Sequence, residues 1–67
     1  MNISDIKPGL KFKAIQAIEY KTERGNDFGE PVGEVISSNG VRVELKGPMY
    51  NFSISCNQFL YFNKFKN

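Results

Sequence analysis

Asn39-Gly40, set between two apolar alternations, marks the middle of this chain as a β-hairpin. On its left Gly33, Val35 and Ser37 alternate with Glu34 and Ile36; on its right Val41, Val43 and Leu45 alternate with Arg42, Glu44 and Lys46. Asn-Gly between period-2 runs is the strongest short-range hairpin signal. A two-residue Asn39-Gly40 loop would set Glu34 opposite Leu45 and turn a carboxylate into the core. A three-residue loop, Ser38-Asn39-Gly40 with Gly40 left-handed, sets Val35 opposite Val43 and Gly33 opposite Leu45. Burial favours the second register. It leaves Ile36 on the outer face beside Arg42.

The rest of the chain reads as further short strands in one domain, residues 1–67, with no repeat or linker. Lys7-Pro8-Gly9 is a turn that launches the first strand. Leu10, Phe12 and Ala14 then alternate with Lys11, Lys13 and Ile15, and the phase slips near Ala14-Ile15 before Ile18 and Tyr20. A bulge or bend explains the slip. Residues 21–31 form a long polar loop with one aromatic, Phe28, and loops of that length are often functional. The second strand spans residues 32–37, and Gly47-Pro48 makes a later turn. Tyr50, Phe52, Ile54 and Cys56 share one face of the fourth strand. Asn57-Gln58 suggests a short 3-10 turn, and residues 59–65 read as a last, aromatic strand. No stretch carries helical periodicity in this reading.

The core expected from these phases is Val35, Val43, Leu45, Phe52 and Ile54, joined by Leu10, Phe12 and half of residues 59–62. A chain of 67 residues buries only about 60% of its unfolded surface. Small folds usually add disulfides or a structural metal. One cysteine and no histidine exclude an intramolecular disulfide and a Cys/His zinc site. Forty per cent apolar residues, including six Phe and three Tyr, suffice for an apolar core and argue against disorder.

The order of elements resembles an SH3-like small β-barrel of five strands. A long loop would separate strands 1 and 2, and a short 3-10 turn would precede the last strand. The residues carrying the resemblance are Ile6-Lys7-Pro8-Gly9-Leu10-Lys11-Phe12 at the entry and Gly33-Glu34-Val35 in the second strand. Phe52-Ser53-Ile54-Ser55 followed by Asn57-Gln58-Phe59 completes it at the exit. KOW-type barrels are similar to the same degree. Sm-like and OB-like barrels stay open, although an OB fold wants a helix. The resemblance implies that the long loop, the turn after strand 3 and the 3-10 turn border one surface, which would gather Phe28, Met49 and Tyr50. The chain departs from signalling SH3 domains in having no Trp and no Ala-Leu-Tyr-Asp-Tyr segment, which argues against recognition of proline-rich peptides.

Without histidine there is no His-based triad and no His general base. Cys56 lies in phase with Phe52 and Ile54, where a lone cysteine reads as an inert core residue. Asp27, Glu30 and Glu34 lack the ligand density of a calcium loop. Gly25, Gly29 and Gly33 are followed by no Gly-Lys-Ser/Thr, so they serve turns and not phosphate. The expectation is a non-enzymatic protein without cofactor or metal.

What remains is binding. An aromatic in a polar loop either folds back or meets a partner, which singles out Phe28, with Arg24 in the same loop and Tyr20, Met49 and Tyr50 at loop edges. The first expectation is therefore a module that docks on another protein. AT-rich codon usage, inferred from abundant Lys, Asn, Ile, Phe and Tyr, suits a phage or mobile-element accessory or inhibitory factor. The alternative is an RNA- or DNA-binding barrel using basic strand faces. Lys11, Lys13, Lys64 and Lys66 would converge if the first and last strands pair, with Phe62 or Phe65 between them as a stacking platform. The net charge of +2 permits this without demanding it. No segment reads as a signal sequence or membrane span, so the expected setting is the cytoplasm, as a monomer or weak homo-oligomer.

Overall fold

The computed structural model describes residues 1–65. A 3-10 turn (Ile3–Asp5) precedes six strands, β1 (Lys11–Lys13), β2 (Ile18–Thr22), β3 (Gly25–Gly29), β4 (Val32–Ser38), β5 (Arg42–Lys46) and β6 (Asn51–Ser55), and one helix, α1 (Cys56–Phe62). The strands form one antiparallel sheet in the order β1-β4-β5-β6-β2-β3. The fold is mostly β, as the alternations require. The sheet has six strands and is not closed: β1 and β3 lie at its two ends.

Several expectations are corrected. Residues 21–31 are no loop: β2 and β3 pair as a hairpin, with Tyr20 opposite Asp27 and Glu19 opposite Phe28. Its tip is closed by Thr22, whose Oγ1 accepts from Arg24 N–H at 3.1 Å and donates to Gly25 O at 2.9 Å, and Gly25 takes φ +112°. The expected first strand is really two. The phase slip at Ala14 breaks it, and β1 and β2 lie in distant parts of the sheet.

The expected 3-10 turn and the first part of the expected last strand are one α-helix, and Asn63 beyond it makes a single antiparallel bridge to Ala14. Ser55 Oγ accepts from Gln58 N–H at 3.0 Å, and Gln58 Oε1 accepts from Ser55 N–H at 3.0 Å. This reciprocal cap satisfies two of the free donors at the helix start. Cys56, Phe59 and Asn63 then recur at helical spacing and are all buried.

The central hairpin exists, but in a different register. Asn39 N–H donates to Arg42 O at 3.2 Å, and Asn39 Oδ1 accepts from the N–H groups of Val41 and Arg42, both at 2.8 Å. Asn39 and Arg42 thus close the hairpin around Gly40, at φ +89°, and Val41. Ser38 faces Val43, and Val35 faces Leu45 across a bulge at Ile36. The bulge absorbs one residue, so Val35, Val43 and Leu45 all reach the core despite the shift. It also turns Ser37 outward and Ser38 partly inward.

The core is the inner sheet face covered by α1. Phe12, Ile18, Val35, Val43, Leu45, Phe52, Ile54, Cys56 and Phe59 are buried, and the rings of Phe12 and Phe59 stack at 5.3 Å. Val35, Val43, Leu45, Phe52, Ile54 and Phe12 are buried as expected; Leu10 is half-buried, and of residues 59–62 only Phe59 is buried, with Leu60 and Phe62 half-buried and Tyr61 exposed. Phe52 lies over two glycines: a Cβ on Gly33 would stand 2.9 Å from Phe52 Cε1, and one on Gly47 would stand 3.3 Å from the same ring. Asn63 is the one buried polar side chain among the described residues. Its Nδ2 donates to Lys11 O at 3.1 Å, and its Oδ1 accepts from Phe65 N–H at 3.0 Å and, more weakly, from Lys13 N–H at 3.5 Å. It ties the C-terminal segment to β1.

Candidate functional site

A groove of about 190 Å³ opens where the β5–β6 turn meets the β2–β3 hairpin and the start of β4. The turn is tight, with Gly47 N–H donating to Tyr50 O at 3.1 Å. Pro48 and Met49 project from it, and Met49 is 89% exposed. Phe52 and Gly47 form the floor; Pro31, Val32 and Glu30 line one side, Tyr20 and Tyr50 the other. Tyr20 meets Phe52 edge-on at 5.4 Å, which joins the groove wall to the core.

The polar corner of this groove is a triangle. Tyr20 OH lies 3.4 Å from Tyr50 OH, and both phenols donate to Asp27 Oδ2, at 3.5 and 3.4 Å. The cross-strand pairing of Tyr20 with Asp27 builds it. The hydrogen bond with Tyr50, then burial, then the Asp27 charge push the Tyr20 phenol up to about 12. Each of these favours the neutral phenol. The corner therefore offers a carboxylate and two phenol hydroxyls beside an apolar slot.

Three of the five expected protein-binding residues, Tyr20, Met49 and Tyr50, meet in this groove. Arg24 lines an adjoining hollow at the hairpin tip that shares Met49 and Tyr50 with the groove. Phe28 does not join them. It alternates with Asp27 along β3, pairs with Glu19, and lines neither hollow, although it is 70% exposed. The sequence reading missed Asp27, Pro31, Val32 and Pro48. The signal for Asp27 was Thr22 and Gly25 flanking a two-residue tip, which sets Tyr20 opposite it.

The basic set divides. Lys11 forms an ion pair with Glu34, and its ammonium holds the Glu34 carboxyl below the usual range. Lys13 and Lys64 lie side by side, with Lys64 N–H donating to Lys13 O at 2.8 Å. Phe62 is half-buried against the core and meets Tyr61 edge-on, so it is no open stacking platform. Lys66 lies outside the described residues.

Cys56 is buried at the start of α1, 3.6 Å from Ser38 Oγ. Among the described residues no three His, Cys, Asp or Glu side chains gather as metal ligands. Nor is any helix among them long and apolar enough to cross a membrane. The groove is thus an apolar slot with one polar corner, set against the sheet. In comparisons with known proteins, no family model, no curated protein and no solved structure matches this chain.

Proposed function

We propose that this chain is a non-catalytic binding module, built on an SH3-like arrangement of short strands, that docks on another protein through the Tyr20–Tyr50 groove. The observation that carries the reading is the composition of the groove: two tyrosines, two prolines, a valine and the exposed Met49 around a Phe52 floor. Tyrosines give a partner large contact area at small entropic cost and retain a polar end. Methionine adapts to irregular apolar surfaces. The Asp27 corner supplies direction, since its carboxylate and the two phenols fix where a polar group of the partner must lie.

Affinity capture from the native host's extract, treated with nuclease, tests this. Tyr50→Ala combined with Met49→Ala should weaken retention of the captured protein by about 2 kcal/mol or more, as buried aromatic anchors do. Phe28→Ala, on the other side of the hairpin, should leave it unchanged. Capture abolished by nuclease, or indifferent to the groove variant, overturns the reading.

A further inference from the structure

We propose that the outer edge of β3 pairs antiparallel with β3 of a second copy of this chain, with the two Phe28 side chains meeting at the dyad. This goes beyond the groove, since Phe28 lines neither it nor the adjoining hollow. β1 and β3 are the end strands of the sheet. β1 is bonded on its outer side to the C-terminal segment, through the Ala14–Asn63 bridge and Lys64 N–H to Lys13 O at 2.8 Å. Among the described residues no backbone bond covers β3 in this way. The two-residue tip makes Thr22 and Gly25 a hydrogen-bonded pair, and such pairs alternate along an antiparallel ladder, so Tyr20–Asp27 and Ile18–Gly29 are the others. The backbone N–H and C=O groups of Asn26 and Phe28 therefore point away from β2, along an open edge.

The side chains of β3 select a second copy as the occupant and fix its register. Asp27 is the only charged residue of the strand, and a glycine lies two positions to each side of it. A dyad at Asp27 would set two carboxylates face to face, which repel. A dyad at Asn26 would run the second strand into the tip at Glu23 and Arg24. A dyad at Phe28 sets Asp27 opposite Gly29 of the second copy and leaves the two carboxylates on a diagonal, roughly 7–8 Å apart. It also makes Phe28, 70% exposed, an aromatic pair across the seam. The contact is self-complementary and closes at two copies, because the only other sheet end is bonded to residues 63 and 64. Asp27 restrains it. Its Oδ1 accepts from Phe28 N–H at 2.8 Å, and pairing must release that donor. A charge on an end strand opposes edge-to-edge association, and five residues of edge bury little area, so the dimer is weak.

The test is analytical ultracentrifugation of the intact chain from about 10 µM to about 1 mM, with amide hydrogen exchange read by NMR at both ends of that range. The weight-average mass should rise with concentration from 7.6 kDa toward twice that value and stop there. The amides of Asn26 and Phe28 should exchange more slowly at the higher concentration, while that of Asp27, already paired with β2, should not change. Asp27→Ala frees the Phe28 N–H in both copies and should tighten the dimer by about tenfold or more. Phe28→Ala should weaken it by about tenfold. Asn26→Pro removes an outward N–H at an end-strand position that tolerates proline, and should also weaken it. A thermal melt of each variant separates loss of pairing from loss of fold, and Phe28→Ala, which removes an exposed ring, keeps the test decisive if Asn26→Pro unfolds. Monomer at about 1 mM for both wild type and Asp27→Ala, growth beyond a dimer, or a dimer that folded Phe28→Ala forms as well as the wild type overturns the proposal. So does unchanged exchange of the Asn26 and Phe28 amides.

Discussion

Replacing Gly33 by alanine should destabilise the protein, against the ordinary trend for glycine in a strand. A Cβ built on Gly33 stands 2.8 Å from the carbonyl oxygen of Lys46 and 2.9 Å from Phe52 Cε1. The first neighbour is backbone in the paired strand β5, and the second is a buried ring that floors the groove. Neither can swing away as a surface side chain would. Overpacking of this kind costs about 1–3 kcal/mol. Relief of glycine's backbone entropy would return about 0.5–1 kcal/mol, so the net sign is destabilising in all but the mildest case. For a chain of 67 residues total stability is about 3–10 kcal/mol, and each kcal/mol moves the melting midpoint by about 4–8 °C. The internal control is Gly29→Ala, whose Cβ meets only the Tyr20 side chain, its hydroxyl at 3.8 Å and Cε1 at 3.9 Å, in ordinary contact. Thermal melts followed by far-ultraviolet circular dichroism should therefore move in opposite directions, down for Gly33→Ala and level or up for Gly29→Ala. A Gly33→Ala midpoint equal to or above the wild type would refute the packing of Phe52 over β4, and with it the floor of the groove.

Two further outcomes follow from the polar contacts. Tyr50→Phe removes the largest cause of the Tyr20 shift, so phenolate absorbance should show the Tyr20 transition falling from about 12 toward 10. Because the folded value lies above the ordinary one, the neutral phenol's contribution to stability is complete below pH 10 and is lost as pH rises through 12. Alkaline melting should accordingly be less pH-dependent in Tyr50→Phe than in the wild type. Asn63→Leu leaves Lys11 O and Phe65 N–H without their partner and should cost about 1–3 kcal/mol in urea unfolding; an unchanged urea midpoint would mean that Asn63 does not anchor the segment.

The strands that bury one face were legible in the sequence because alternation and burial report the same thing. Val35, Val43, Leu45, Phe52 and Ile54 are in the core as their phase requires. The register of the central hairpin was not legible. The Asn39 side chain caps the N–H groups of Val41 and Arg42, which moves the turn along the chain, and the Ile36 bulge restores the burial pattern. Burial alone cannot tell an ideal ladder from a shifted ladder with one bulge. The β2–β3 hairpin was not legible because β3 is exposed on both faces up to Gly29 and carries no alternation, although β2 alternates, with Ile18 buried and Tyr20 and Thr22 half-buried. The helix was hidden by its aromatics, which have high strand propensity. Its cap was nonetheless visible, since Ser55 and Gln58 have the spacing of a reciprocal capping pair.

The candidate site was half legible for the same physical reason. Tyr20, Met49 and Tyr50 stood out because large side chains beside turns have little core to enter, and the structure gathers them. Phe28 stood out on the same ground and is placed elsewhere, because a residue in a hairpin has a fixed side whereas a residue in a loop has none. Once Tyr20 is paired with Asp27, Phe28 must point away from Tyr50, and Asp27 must point toward it. This assigns the two neighbours opposite parts in any binding experiment. Asp27→Asn keeps the shape of the corner and removes its charge, so it belongs with the groove variants. Phe28→Ala removes the most conspicuous aromatic of the hairpin without touching the groove. A partner that is lost with Phe28 and retained with Asp27 and Tyr50 altered would place the working surface on the opposite face of β2 and β3, beside Glu19, where Gln58 of α1 donates to the Glu19 carbonyl at 3.0 Å.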